Sequence, residues 1–273
     1  IINHAHISGI ESIDSSDEVS TAHRVSARLP LVGRQTEMDR LTTRWSRAAR
    51  GYGGLLLIGG EAGIGKTRLT QELALLAESQ GARILRGATS QQNPRPYQAL
   101  IEAFQLVLPL LINLEGELNR LSALAALIPE LPRRCNLPHL PELDPDRERI
   151  RLFDAAAGCL EKLAAPRPVL LILEDLHWAG ETSITLLEYL VRRIAGAPIL
   201  VVATYRDEEI AHNHPLHTLR HNLTSNHDPD PTSLMENLLL GPLSPQDIHT
   251  LMQQMVPEQS QLAERLFIES EGN

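Results

Sequence analysis

The sequence predicts an α/β protein, a three-layer αβα sandwich around a five-stranded parallel sheet. Three observations predict it. Short, almost wholly apolar runs recur, among them "LLLIG", "PVLLILED" and "APILVVATYRD", and a strand apolar on both faces is one covered on both sides. Longer segments between them carry apolar residues three and four apart, the period of a helix. Strands alternating with helices imply parallel pairing through right-handed crossovers. The chain has 273 residues, of which 42% are hydrophobic and 3% aromatic, so it can bury a sizeable core made mainly of Leu, Ile, Val and Ala.

Residues 1–28 are polar, include "ESIDSSDEVS" and show no sustained period, so they read as a flexible linker or tail. The core, 29–241, opens with a helix in which Leu41, Trp45 and Ala48 or Ala49 recur and which Gly51, Gly53 and Gly54 stop. "LLLIG" is the first strand. Residues 66–79 are helical through Leu69, Leu73 and Leu76, and Gly81 ends them. "ARILRGAT" is the second strand, and 97–164 is mostly helical, broken by the proline-rich "LPRRCNLPHLPELDP". "PVLLILED" is the third strand. "TSITLLEYLVRRI" follows as an amphipathic helix with Thr182 or Ser183 as its cap. "APILVVATYRD" is the fourth strand. Residues 207–234, rich in His, Asn and Pro, read as a loop, and "NLLLGPL" as the fifth strand. "SPQDIHTLMQQMV" and "EQSQLAERLFIES" are two helices that begin a C-terminal lid over 242–273. Ser244 followed by Pro245 marks a helix start, since proline in the first turn loses no hydrogen bond. The chain starts at Ile1 and stops just after a helical pattern, which reads as a piece of a longer protein.

The net charge of −9 argues against direct nucleic-acid binding by this segment through bulk charge. Cys135 and Cys159 lack CxxC spacing, so neither a zinc site nor a disulfide framework is indicated, and a reducing, cytoplasmic setting fits. No apolar run approaches the ~20 residues that cross a bilayer, and no secretory leader is visible. The histidines of "AHNHPLHTLRH" have mixed spacing on a polar stretch and read as solvated, not as metal ligands.

The residues after the first strand carry the chemistry. Gly60, Glu61, Ala62, Gly63, Ile64, Gly65, Lys66 and Thr67 fit GxxxxGK[ST] in full, between a strand and a helix. The glycines let successive backbone N–H groups converge on phosphate, and the helix that follows adds its positive end. Lys66 neutralises β- and γ-phosphate charge, and the Thr67 hydroxyl ligates Mg²⁺. Lysine occurs in this chain only at Lys66 and Lys162, the remaining cations being arginine. The loop needs a compact point charge where arginine would bring a planar fork. The fold is therefore read as that of a P-loop NTPase.

A second motif completes the site. "VLLILED" delivers Glu174 and Asp175 at the C-terminal end of a buried strand, where ligands of such sheets bind. Glu174 is assigned to Mg²⁺, partly through water, and Asp175 to polarising the attacking water, with exchange of the two roles left open. The shorter Asp at the base position points to slow hydrolysis. Guanine-specific enzymes usually carry [NT]KxD, which is absent here, so the nucleotide is read as ATP, with ADP as product.

With these motifs in place, the chain resembles the STAND class of AAA-like P-loop ATPases, specifically the origin-recognition-complex-like AAA domain of large bacterial regulators, from about Leu29 to Asn273. "LVGRQTEMDRL" looks like the family's opening hhGRxxE box, which implies that Val32, Gly33 and Arg34 lie near the adenine. "GGEAGIGKTRL", through Arg68, looks like its phosphate loop. "LLILEDLHWAG" looks like its acidic motif with His177 and Trp178. "VVATYRDEE" looks like its sensor-1 strand end, implying that Thr204 and Arg206 face the γ-phosphate. "LLLGPLSPQDIHTLM" and "ESEGN" look like parts of its lid. The family's Trp-Ala-Asp is here Trp178-Ala179-Gly180, which leaves the capping of the next helix to Glu181 or Thr182. A local ion pair of Arg206 with Asp207 or Glu208 is the alternative to its nucleotide role.

The reading is an ATP-binding regulatory ATPase module, a nucleotide-dependent switch in a larger transcriptional regulator or signalling protein. The resemblance implies output domains outside this segment (DNA-binding, cyclase or kinase) and allows a homo-oligomer in the ATP state. Two other classes stay open. A small-molecule kinase or ATP-driven motor would show group transfer or fast turnover, and a non-hydrolysing, nucleotide-stabilised interaction module would show neither.

Overall fold

The computed structural model describes residues 31–92, 94–114, 116–224, 233–255 and 270. The tail at 1–28, the helix expected in "EQSQLAERLFIES" and the segment "ESEGN" fall outside these, apart from Ser270. Among the described residues β1 (Gly54–Gly59), β2 (Arg83–Ala88), β3 (Val169–Glu174), β4 (Ile199–Thr204) and β5 (Met235–Leu239) form an all-parallel sheet in the order β2-β3-β4-β1-β5. The fold is the predicted α/β sandwich.

Side chains alternate across each strand, so each strand feeds two cores. Leu56, Ile58, Leu170, Ile172, Leu200 and Val202 face α1 (Gln35–Ala49) and α2 (Lys66–Ser79), meeting Leu41, Trp45, Leu69 and Leu73. Leu55, Leu57, Leu171 and Val201 face the other layer. That layer holds α3 (Gln98–Leu106), α7 (Pro145–Ala164), α8 (Glu181–Arg193) and α9 (Pro215–Leu223). These strand residues are fully buried, and each Leu or Ile so buried contributes about 2 kcal/mol. The indole of Trp45 keeps its polar edge satisfied by donating to Gln80 Oε1 at 2.8 Å.

Between α3 and α7 the predicted helical region divides into short pieces: α4 (Leu108–Leu111), α5 (Leu118–Leu124) and α6 (Leu131–Arg134). The proline-rich stretch is not wholly a break, because Pro132 lies in the first turn of α6, where a missing N–H costs nothing. Two further expectations are corrected. Residues 207–234 are not simply a loop: a one-turn 3₁₀ helix spans Asp207–Glu209, and α9 follows. The His214 ring caps α9 by accepting the Leu216 N–H at 3.2 Å, Pro215 opens it, and Leu216, Leu219 and Leu223 bury its apolar side. Neither Thr182 nor Ser183 caps α8. Gly180 occupies that position without a side-chain bond, Glu181 places its charge in the first turn, and Ser183 Oγ instead accepts the Tyr97 N–H at 2.9 Å. Tyr97 is held at φ +64°, so the hydroxyl is used to secure a left-handed residue on the neighbouring element.

After β5, α10 (Pro245–Met255) begins at Ser244. The Asp247 N–H donates to Ser244 Oγ at 3.2 Å, and the Ser244 hydroxyl donates back to Asp247 Oδ2 at 2.6 Å, a reciprocal cap. No helix of the described residues is long and apolar enough to cross a membrane.

Candidate nucleotide-binding site

The phosphate loop joins β1 to α2 at the C-terminal edge of the sheet. Gly60, Gly63 and Gly65 have φ of +145°, +81° and +104°, backbone that residues with a Cβ rarely adopt. At Gly60 a Cβ would also press on the Leu240 carbonyl, whereas the space beside Gly65 is open among the described residues. Lys66 is 8% exposed and folds back over its own loop, donating to the Gly60 carbonyl at 2.7 Å and the Glu61 carbonyl at 2.6 Å. Burial lowers the pKa of its ammonium, and the charge of Glu208 opposes that. Ile64 is buried in the α1/α2 core, so the loop is anchored from below. Arg68 pairs with Glu72 one turn along α2.

A cleft of about 340 Å³ opens above this loop, lined by Ala62, Gly63, Gly65, Lys66, Thr67, Arg68, Asp175 and Arg206. The structure thus gathers the phosphate loop, one member of the acidic pair and the arginine after β4. Asp175 has φ +59° and a side chain 41% exposed, turned to this cleft. The turn is held from both sides: the Asp175 N–H donates to Thr204 Oγ1 at 3.1 Å, and the Thr89 hydroxyl donates to the Asp175 carbonyl. Thr204 is buried, and its hydroxyl is used to position Asp175. Glu174 ends β3 on the α2 side of the sheet, paired in register with Ala88. Its charge supports the Arg86 guanidinium, which burial pulls below the usual arginine range.

Arg206 forms its ion pair with Glu209, not with Asp207 or Glu208, because the one-turn helix brings the residue three positions on into reach. That bond raises the arginine pKa further. His177 is buried beneath. Its Nδ1 accepts the Arg206 N–H at 3.3 Å, which places the ring proton on Nε2, 3.6 Å from Glu209 Oε2. Burial lowers its pKa, so the ring is neutral near pH 7. Trp178, half-buried, lies with its ring 4.8 Å from the His177 ring.

The opening box stands at the far side of the loop. Val32 is half-buried and Gly33, at φ +69°, lies against Asp247 of α10. Arg34 is buried. Its guanidinium donates to the Ile64 carbonyl at 3.1 Å and the Gly241 carbonyl at 2.6 Å, and pairs with Glu37 at 3.0 Å. It therefore ties the phosphate loop to the segment leading into α10. Thr89, Glu208 and Glu209 were missed as site residues. The only sequence signal for them is position, one residue beyond β2 and two or more beyond Arg206.

A family model described as an AAA ATPase domain matches residues 30–202. This chain belongs to the AAA ATPase domain family. Among curated proteins it is similar to an uncharacterized protein of Rhizobium meliloti, 28% identical over 200 residues covering 65% of this chain and 18% of the relative. It is also similar to a hybrid signal transduction histidine kinase G of Dictyostelium discoideum, 26% identical over 59% of this chain and 5% of the relative. The chain thus spans less than a fifth of either relative. Among solved structures it is similar to a Signal Transduction ATPase with Numerous Domains (STAND) protein with a tetratricopeptide repeat sensor from Pyrococcus horikoshii. That likeness has 20% identity and a TM-score of 0.49, and covers 90% of this chain and 28% of that one. A Cdc6p from Pyrobaculum aerophilum is similar at 16% identity and a TM-score of 0.47, over 83% and 49% of the two chains.

For an AAA ATPase domain, nucleotide binding and ATPase chemistry follow as family properties, usually with Mg²⁺. The cleft fits both. Its lining joins a glycine-rich loop, with the positive-φ backbone that anion-binding turns use, to the buried Lys66, a combination suited to phosphate, and Thr67 and Asp175 bring oxygen atoms to the same cleft, as Mg²⁺ prefers.

Proposed function

We propose that this AAA ATPase domain is the nucleotide switch of a larger regulatory protein, binding ATP and hydrolysing it slowly to ADP. The observation that carries the reading is Arg34. One buried guanidinium bonds a carbonyl of the phosphate loop and a carbonyl of the segment leading to α10, so a change in the loop is felt where the lid begins. A switch needs two arrangements that nucleotides favour unequally, and such a link supplies the coupling. The hybrid histidine kinase among the relatives supports a signalling context, with output domains outside this segment and assembly in the ATP state as part of the reading.

Within the site the roles divide as follows. The amides of residues 61–67 and Lys66 hold the β- and γ-phosphates. Arg206, released from Glu209, stabilises charge developing on the γ-phosphate. Asp175, fixed by Thr89 and Thr204, orients the attacking water and accepts its proton. Val32 and Gly33 flank the base. Mg²⁺, which Thr67 and Glu174 would hold partly through water, would offset phosphate charge.

Bound nucleotide and single-turnover hydrolysis, measured on one preparation, test this. Turnover below about one per second, falling roughly 100-fold in Asp175→Asn with ATP affinity retained, is the expected result. Fast turnover or phosphate transfer to a metabolite would favour a motor or kinase. Retained ADP with no hydrolysis, indifferent to Asp175→Asn, would favour a structural nucleotide.

A further inference from the structure

The turn after β4 brings a carboxylate onto the phosphate loop. Glu208 Oε1 accepts the Ala62 N–H at 2.9 Å, a contact between residues 146 apart in the chain. Ala62 lines the phosphate cleft, and the charge of Glu208 acts on Lys66. Its neighbour Glu209 holds the guanidinium of Arg206. The acids of one short turn therefore engage an amide of the anion-binding loop and the cation beside it. Through Glu208 and Glu209 this one turn contacts both Ala62 and Arg206, the residue assigned to the γ-phosphate. Lys66 and Thr67, which open α2, line the same cleft.

We propose that Glu208 is a selectivity residue that sets the preference of this site between ADP and ATP. The inference rests on the nucleotide reading above. The carboxylate stands where the third phosphate would bring its charge. ADP leaves the Glu208–Ala62 bond in place, whereas ATP must break it and drive a like charge aside. The resting site is thus biased toward the diphosphate. ATP engagement also moves the Asp207–Glu209 turn, frees Arg206 from Glu209, and shifts the segment that leads into α9. The acid acts on binding and takes no part in the chemical step.

The test is the affinity of the full-length protein for ATP and for ADP, each with Mg²⁺, by calorimetry. Glu208→Gln keeps the shape and removes the charge. It should strengthen ATP binding by about five- to tenfold and ADP binding by less than about twofold, the difference shrinking in high salt. Glu208 is exposed, so the variant should unfold at the same urea midpoint as the wild type. Asp207→Asn, a charge change on the same turn, should alter the ratio by less than about twofold. An unchanged ATP-to-ADP ratio in Glu208→Gln, a loss of ATP affinity, or an equal gain from Asp207→Asn overturns the proposal while leaving the nucleotide site standing. Wild-type protein that binds neither nucleotide, or binding that survives Lys66→Ala, overturns the site reading and the proposal with it.

Discussion

The two lysines of this chain sit in opposite circumstances. Lys162, on α7, lies 3.3 Å from the Glu117 carboxylate, which also bonds Arg120. Glu117 is buried. Burial pushes its carboxyl pKa up, but the hydrogen bonds from Arg120 and Lys162 outweigh that and hold it below the usual carboxylate range. Gly158 leaves room for the Arg120 side chain to cross α7, where a Cβ would collide with it. Lys66 is as buried as Glu117, yet among the described residues no carboxylate pairs with it, and its donors rest on two carbonyls of its own loop. A structural cation is matched by a neighbouring charge. The Lys66 ammonium is held in place by neutral acceptors, so its charge remains available to an anion that enters the cleft.

Breaking each lysine's environment should therefore give opposite results. The largest effect is expected from Lys66→Ala, which should weaken nucleotide binding by at least about 100-fold, with the urea midpoint nearly unchanged. Normal affinity would mean that the loop is not the phosphate seat. Glu117→Ala should instead leave nucleotide affinity within twofold and cost roughly 2 kcal/mol of stability, read from urea unfolding. The cost stays below the larger penalties of deep ion pairs because Arg120 and Lys162 both keep contact with water. A loss of affinity in that variant would join the two regions and end the contrast.

A smaller effect concerns the neutral ring beside the site. Burial lowers the pKa of His177, so its neutral form is favoured in the folded state. The associated stability is fully present above about pH 6.5, the ordinary histidine value, and is lost as pH falls toward the lowered folded value. Urea midpoints at pH 7.5 and 5.5 should differ more for the wild type than for His177→Gln. An equal pH dependence would remove His177 from the acid response and leave it to His214, whose pKa is also lowered by burial.

The sheet and the phosphate loop were legible because their signals are local. An apolar run such as "LLLIG" states its own burial, and GxxxxGKT states a backbone that only glycine allows beside a cation. The helix α9 was not legible, because its three buried leucines are spaced among histidines and asparagine, and its cap is the ring of His214, a residue type that rarely marks a helix start. Ser183 was misread for a related reason. It has the chemistry of a cap, but a backbone N–H from Tyr97, 86 residues away in the chain, takes the hydroxyl.

By itself the sequence determined the strand-helix alternation, the loop, and the delivery of two acids at a strand end. Each follows from periodicity or from the backbone freedom of a few adjacent residues. Only the tertiary structure decided that Asp175 turns into the cleft through a left-handed residue held by Thr89 and Thr204. It alone decided that Arg34 ties the loop to Gly241, and that Glu208 rests on Ala62. These pairings join residues from 29 to 207 apart in the chain. They exist because the order β2-β3-β4-β1-β5 sets strand ends side by side, and local patterning carries no information about which ends will meet.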